Sequence, residues 1–118
     1  MFSPDGQFLV SGGFDGKVRI WKFMEDSLIS EITIQNNKPI HALDFHPKGN
    51  LLAIGGDRII FIWDILNKKE KLLIDVEEDV NAISYTNDGN MIAVALKKSK
   101  QVKLYNANSG NHIKTLFD

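Results

Sequence analysis

Short apolar segments alternate with turns rich in glycine, proline, asparagine and aspartate along the whole chain. The clearest pair is Leu51–Ile54 and Ile59–Trp63, in which every residue is apolar. Continuous apolar runs of this length are typical of strands buried on both faces, as when sheets stack face to face. Residues 70–79 are the best candidate for a helix, but Leu72–Ile74 lies where the repeat described below needs an outer strand. The pattern therefore predicts an all-β chain.

The same series of segments occurs three times. Each copy begins with an aromatic residue before a glycine-containing turn, continues through an apolar segment, and ends on an aromatic residue after a further apolar segment. The first aromatics are Phe2, Phe45 and Tyr85, and the last are Trp21, Trp63 and Tyr105. A spacing of about 40 residues between copies is typical of the four-stranded blades of a β-propeller.

We therefore predict three four-stranded antiparallel blades at residues 1–35, 36–76 and 77–118, with the first blade lacking most of its innermost strand. Three blades cannot close a ring, because propellers contain about four to eight. An open arc would also leave large apolar blade faces in water. The remaining blades are expected from a longer parent chain, from another subunit, or from a second copy that completes a six-bladed ring. The first source is favoured because the sequence begins inside a blade.

Sequence motifs within the copies are more specific than their spacing. Residues 2–21 contain Phe-Ser-Pro-Asp-Gly, then Ser-Gly-Gly, and then Val-Arg-Ile-Trp. Residues 40–64 follow the same order and end on a Trp-Asp pair, whereas residues 80–118 have Tyr-Asn at that position. These motifs resemble those of WD-repeat β-propellers, and the resemblance covers essentially the whole chain. In that family a histidine, a serine or threonine, an aspartate and the tryptophan form a hydrogen-bond relay that satisfies buried polar groups within a blade.

The resemblance implies where this relay falls on the present chain. Ser11, Asp15 and Trp21 match it in the first repeat, and Asp57 and Trp63 match it in the second. Isoleucine stands at the serine position of the second repeat, and two asparagines stand where the family's Gly-His is expected. The third repeat matches none of the four positions. We therefore expect the second and third blades to depend on apolar packing.

Composition and charge argue against several classes of partner. The formal net charge is −1, so no overall field attracts nucleic acid or an acidic membrane surface. The absence of cysteine excludes disulfides and thiolate metal sites. No apolar run approaches the roughly 18 residues that a membrane-spanning helix needs. We expect an intracellular protein, cytoplasmic or nuclear, with no membrane partner.

Candidate chemical groups are too scattered to predict a catalytic, cofactor or metal site. His41 and His46 lie close together in sequence and His112 far from them, without the spacing of a metal site or of a nucleophile and its base. The acidic residues between positions 75 and 79 lack the glycine-punctuated spacing of a calcium loop. The sequence therefore predicts a protein that is not an enzyme and needs no cofactor.

The resemblance implies a binding platform on the top face of the propeller. That face is formed by the loops that lead into the first strand of each blade and by the turns between the second and third strands. Phe14, at the tip of such a turn, either anchors a partner or folds over its own blade. The implied partner-binding residues are Phe14, Lys38, His41, Arg58, Asp79, Asn81 and Lys98. The predicted function is a non-enzymatic scaffold for protein–protein interaction within a larger propeller or assembly.

The alternative interpretation is a propeller that contacts the phosphates of RNA or DNA through the hairpin Lys97–Lys103. Clustered lysines attract a phosphate backbone regardless of its sequence. The near-neutral net charge and the absence of interleaved aromatic residues place this hypothesis second.

Overall fold

The computed structural model describes residues 1–13, 15–25, 27–33 and 38–116, which form three antiparallel sheets. The first sheet contains β1 (Phe8–Gly12), β2 (Lys17–Lys22) and β3 (Ser27–Thr33), with a short 3₁₀ turn at Phe23–Glu25. The second contains β4 (Ala42–Phe45), β5 (Leu51–Gly55), β6 (Ile59–Asp64) and β7 (Lys69–Asp75). The third contains β8 (Val80–Tyr85), β9 (Met91–Leu96), β10 (Val102–Asn106) and β11 (His112–Leu116).

Each sheet is a simple meander, because its strands lie side by side in chain order. The predicted all-β class and its blade-like sheets are therefore confirmed, and Leu72–Ile74 lies in strand β7 instead of in a helix. At the edge of the first sheet, Phe2 forms an isolated antiparallel bridge to Leu9. No helix within the described ranges is long and apolar enough to cross a membrane.

Two apolar layers form the core, one on each face of the second sheet. Strand β5 contributes to both, because alternate side chains of a strand point to opposite faces. Leu52 and Ile54 pack toward the first sheet, and Leu51 and Ala53 pack toward the third. All five residues of β5 are buried, which explains the continuous apolar run in the sequence.

Each layer joins two sheets through residues from both. The layer between the first and second sheets contains Phe8, Val10, Val18, Ile20, Ile32, Phe45, Leu52, Ile54 and Ile65. The layer between the second and third contains Leu51, Ala53, Ile60, Ile62, Ile74, Val76, Val80, Ile83, Tyr85, Ile92, Val94, Leu96, Tyr105 and Ala107.

Neighbouring sheets approach each other closely at Gly12, the last residue of β1, and at Gly55, the last residue of β5. A Cβ atom on Gly12 would lie 2.8 Å from Cγ2 of Ile40, and one on Gly55 would lie 2.5 Å from Cγ1 of Val80. Real Cβ atoms do not approach other atoms so closely, so glycine is required here for its lack of a side chain. The two Ser-Gly-Gly-like motifs thus serve the stacking of the sheets.

A partly buried hydrogen bond connects the first strands of the second and third sheets. The carboxylate Oδ2 of Asp44 in β4 accepts the backbone N–H of Tyr85 in β8 at 2.7 Å. The Tyr85 ring packs edge-on against His46, with the ring centroids 5.1 Å apart. Burial of the Tyr85 side chain, together with the nearby charge of Asp44, raises the pKa of its hydroxyl. The interface between these two sheets therefore combines apolar packing with a specific polar contact.

We predict that Gly55→Ala costs about 1–3 kcal/mol of unfolding free energy, because the added methyl group overpacks the interface at Val80. Urea unfolding would measure this cost. Gly13→Ala is the matched control, since its nearest neighbour is the flexible carboxylate of Asp15 at 3.2 Å. The double variant Gly55→Ala/Val80→Ala should lose less stability than the sum of the single variants. Equal costs for Gly55→Ala and Gly13→Ala would show that the sheets are not in such close contact.

Candidate functional site: a charged groove between the second and third sheets

A groove opens at the edge of the second and third sheets where three loops meet. Arg58 lies in the β5–β6 turn, residues 77–79 form the β7–β8 loop, and Lys97 and Lys98 lie in the β9–β10 turn. The volume of the groove is about 670 Å³, which lies within the roughly 300–1,000 Å³ typical of ligand pockets. The site is therefore large enough to hold several side chains of a partner.

Backbone hydrogen bonds attach the β7–β8 loop to the third sheet. The Glu78 carboxylate Oε1 accepts the backbone N–H groups of Lys98 at 2.8 Å and Ser99 at 2.7 Å. The carbonyl oxygen of Asp79 accepts the N–H of Lys97 at 3.0 Å. Hydrogen bonds from the Ser99 and Lys98 backbone, the former being the larger cause, lower the pKa of Glu78 below its usual range. Glu78 is therefore ionised at neutral pH, with one carboxylate oxygen already bound.

The same loop is attached to the second sheet on its other side. The carbonyl oxygen of Arg58 accepts the N–H of Val76 at 3.0 Å, and that of Gly56 accepts the N–H of Val80 at 3.1 Å. Arg58 Nε donates a long hydrogen bond of 3.4 Å to the carbonyl oxygen of Glu77. The loop thus bridges the two sheets, and the groove is built into their interface.

Arg58 has a backbone conformation that favours glycine. Its φ is +62°, in the left-handed region. The equivalent positions, five residues before the last aromatic of each repeat, are Gly16 with φ +74° and Lys100 with φ +57°. An L-residue other than glycine pays about 1 kcal/mol or more in this conformation. The second and third repeats therefore place long cationic side chains where glycine would be less strained.

Lys103 differs from the other lysines of the predicted basic hairpin. Its side chain is only 11% exposed, and Nζ lies 3.3 Å from Oε2 of Glu77, whose side chain is 79% exposed. Lys103 and Tyr105 are the buried residues of strand β10 and lie on the same face of it, and Tyr105 belongs to the apolar layer between the second and third sheets. Lys103 is therefore not an exposed cation of the hairpin Lys97–Lys103 that the phosphate-binding alternative requires.

Three potential metal ligands lie next to the groove. His41 Nε2 donates a 2.6 Å hydrogen bond to Oδ1 of Asp57, since a carboxylate can only accept. The ligand atoms of His41, Asp57 and Asp79 all lie within 4.8 Å of one another. The histidine–aspartate hydrogen bond already accounts for two of the three groups, and we assign no metal to the cluster.

The relay implied for the first repeat is not formed as a chain of hydrogen bonds in the described part of the molecule. Asp15 instead accepts the backbone N–H of Lys17 at 3.1 Å and lies 3.5 Å from Nη2 of Arg19. Ser11 is opposite Arg19 across the β1–β2 ladder and is exposed. The Asp15 carboxylate thus pairs with Arg19 instead of with the residues of the relay.

In the second repeat the hydrogen bonds of the relay do not extend to the tryptophan among the described residues. Asp57 is bound by His41, but Nε1 of Trp63 is buried with no hydrogen-bond partner among the described residues. Ile54 occupies the position from which a serine hydroxyl would reach it, and this side chain is fully buried in the apolar layer. The Trp63 ring stacks on Phe61, with centroids 6.1 Å apart and the planes inclined by 17°. Apolar contacts therefore surround a polar atom that stays unsatisfied.

The structure brings together three of the partner-binding residues implied by the sequence. Arg58, Asp79 and Lys98 line the groove, and His41 lies beside Asp79. Lys38 and Asn81 are exposed but are not part of the groove lining. Phe14 lies outside the described residues. The groove lining also contains Lys97, Glu77 and Glu78, which are not among the partner-binding residues implied by the sequence. They belong to the same top-face turn and loop as Lys98 and Asp79, and the opposite signs of these two segments already indicate an electrostatic contact.

We predict that Glu78→Gln lowers the melting temperature at neutral pH, because a neutral amide accepts the two backbone N–H groups less strongly. The pKa of Glu78 is lowered in the fold, so its contribution is fully present above its ordinary value of 4.5 and is lost as the pH falls through the folded-state value. Thermal unfolding should therefore show wild type and variant converging in acid. Glu70→Gln, on the exposed strand β7, is the control and should show no such convergence.

A family model described as "WD domain, G-beta repeat" matches residues 1–22 and 28–64, which is half of the chain. Among curated relatives, the "Mitotic checkpoint protein bub-3" of Caenorhabditis elegans is 39% identical over 59 residues, covering 48% of this chain and 17% of the relative. The "Small ribosomal subunit protein RACK1" of the same organism is 37% identical over 68 residues, covering 58% of this chain and 20% of the relative.

A third relative matches nearly the whole chain. The "Target of rapamycin complex subunit LST8" of Mus musculus is 27% identical over 111 residues, covering 92% of this chain and 34% of the relative. The chain thus spans only about a sixth to a third of the lengths of these relatives. The repeated motifs, the stacked antiparallel sheets and the family match lead to one conclusion: the chain belongs to the WD-repeat family.

Proposed function

We propose that this chain is part of a non-enzymatic scaffold for protein–protein interaction, and that the groove between its second and third sheets is the partner-binding site. The groove is the observation that supports this proposal most strongly. Its walls come from loops that are hydrogen-bonded to the stacked sheets, so a partner would meet a preformed surface. A preformed site reduces the entropy lost on binding.

The names of two relatives agree with a role inside assemblies. One is named as a subunit of the target of rapamycin complex and another as a protein of the small ribosomal subunit. We propose the same general role here, in the cytoplasm or nucleus, with no cofactor. The three sheets would act as consecutive blades, at residues 1–35, 36–76 and 77–118, of a ring completed by further blades.

Nucleic-acid binding is less well supported by the geometry. The Lys103 ammonium group is buried and paired with Glu77, and the Glu78 carboxylate lies directly against the backbone of Lys98 and Ser99. Pairing with Glu77 removes Lys103 from the run of free cations that a phosphate backbone, with a charge at every nucleotide, would need. A protein segment suits a groove lined by both signs of charge better, because its charged side chains can be spaced to meet separate cations and to avoid the acidic groups.

Site-specific photo-crosslinking in the full protein tests the proposal. A photoreactive residue replaces Ser99 at the rim of the groove, and a control replaces Lys68, which lies in the β6–β7 turn outside the groove. We expect discrete protein adducts from position 99, absent from position 68, and weakened by Lys98→Glu. Nuclease-sensitive adducts would favour the nucleic-acid alternative. The same adducts from both positions would contradict a binding site in the groove.

A further inference from the structure

The acidic residues around the groove are mostly bound to groups of the chain itself. Glu77 pairs with Lys103 at 3.3 Å, and Glu78 accepts two backbone N–H groups. Asp57, just behind the groove, accepts the His41 imidazole N–H at 2.6 Å. A carboxylate held in this way has less capacity left for a partner, although it keeps its charge.

The basic residues of the groove are in the opposite situation. Among the described residues, Arg58, Lys97 and Lys98 have no carboxylate within the 4.0 Å of an ion pair. Arg58 uses only Nε, in the long contact with the Glu77 carbonyl, so its two terminal nitrogens remain available. A guanidinium group and two ammonium groups therefore keep most of their donors for a ligand.

These cations stand on two sides of the groove. Arg58 comes from the second sheet, whereas Lys97 and Lys98 come from the third. Carboxylates at alternate positions of an extended segment are about 7 Å apart and point to the same side, so one segment can present two of them to the groove. Arginine binds a carboxylate through two parallel hydrogen bonds, which orients the bound group.

The conformation of Arg58 supports a role for its side chain. Glycine occupies the equivalent left-handed position in the first repeat, so the fold accepts the less strained residue there. Strained backbone is often found at binding sites, where function offsets its cost. The strain at Arg58 is thus compatible with selection for its charge.

We propose that the groove recognises an acidic segment of a partner protein, whose carboxylates bind Arg58 on one wall and Lys97 and Lys98 on the other. This inference rests on the proposed scaffold function and specifies the chemistry of the partner. Asp79 is the one groove carboxylate whose side chain has no hydrogen bond or ion pair in the described part of the chain. It opposes an acidic ligand, so its removal should strengthen binding.

The test compares two short fluorescein-labelled peptides by anisotropy, one alternating aspartate and glycine and the other alternating lysine and glycine. We expect the acidic peptide to bind more tightly than the basic one. Its affinity should fall as the salt concentration rises. Arg58→Asn removes the cation and keeps a residue that accepts positive φ. This variant and Lys98→Gln should each weaken binding by about three- to fivefold, and Asp79→Asn should strengthen it by a similar factor.

Lys68→Asn is the matched control, because Lys68 is also a cation at positive φ, +54°, but lies outside the groove lining. It should leave the affinity unchanged. Tighter binding of the basic peptide, weaker binding by Asp79→Asn, or equal losses for Arg58→Asn and Lys68→Asn would each overturn the inference. Preferential binding of an oligouridine probe over the acidic peptide would also overturn it. If crosslinking at position 99 still yields protein adducts in those cases, the scaffold function stands and only the chemistry of the partner is wrong.

Discussion

Burial of both faces of the second sheet is the constraint on which the rest of this structure depends. Strand β5 is apolar at every position because it contributes to two layers at once. The close approach of the sheets at Gly12 and Gly55 is possible only without side chains at those positions. Burial of this extent supplies the main favourable term in folding. The loops at the edge of the sheets then take positions set by that stacking.

The groove follows from how these loops satisfy their polar groups. The β7–β8 loop lies between two turns and binds the backbone of both, through Glu78 on one side and the residues around Arg58 on the other. Internal contacts occupy most of the acidic groups and leave the basic ones available. The lining contains three basic and three acidic residues, so its charges balance. The side chains still free to bind a partner, however, are mostly basic. The proposed acidic partner would use this difference.

Much of the fold could be predicted from sequence because its signals are local. Runs such as Leu51–Ile54, turn glycines and the repeated aromatics each depend on neighbouring residues. The position of Arg58 and Lys98 on one face could also be expected, because the repeat places equivalent turns at one edge of adjacent sheets. The contacts of Lys103 and His41 could not, since each depends on how two loops distant in sequence approach each other. The unsatisfied Nε1 of Trp63 could be predicted in part. Isoleucine at the serine position indicates it, but only the packing reveals that no other described residue accepts its hydrogen bond.

The proposed binding site requires a groove that is already formed, on the stacked second and third sheets, before a partner arrives. Amide hydrogen exchange of the free protein measures whether it is. A preformed groove predicts slow exchange for the amides of Lys98 and Ser99, which are bound by Glu78, alongside slow exchange for the Tyr85 amide bound by Asp44. Exchange of the Lys98 and Ser99 amides at the rate of an open turn, with the Tyr85 amide still protected, would contradict it. In that case the sheets would be stacked as described, but the groove would not exist before a partner binds.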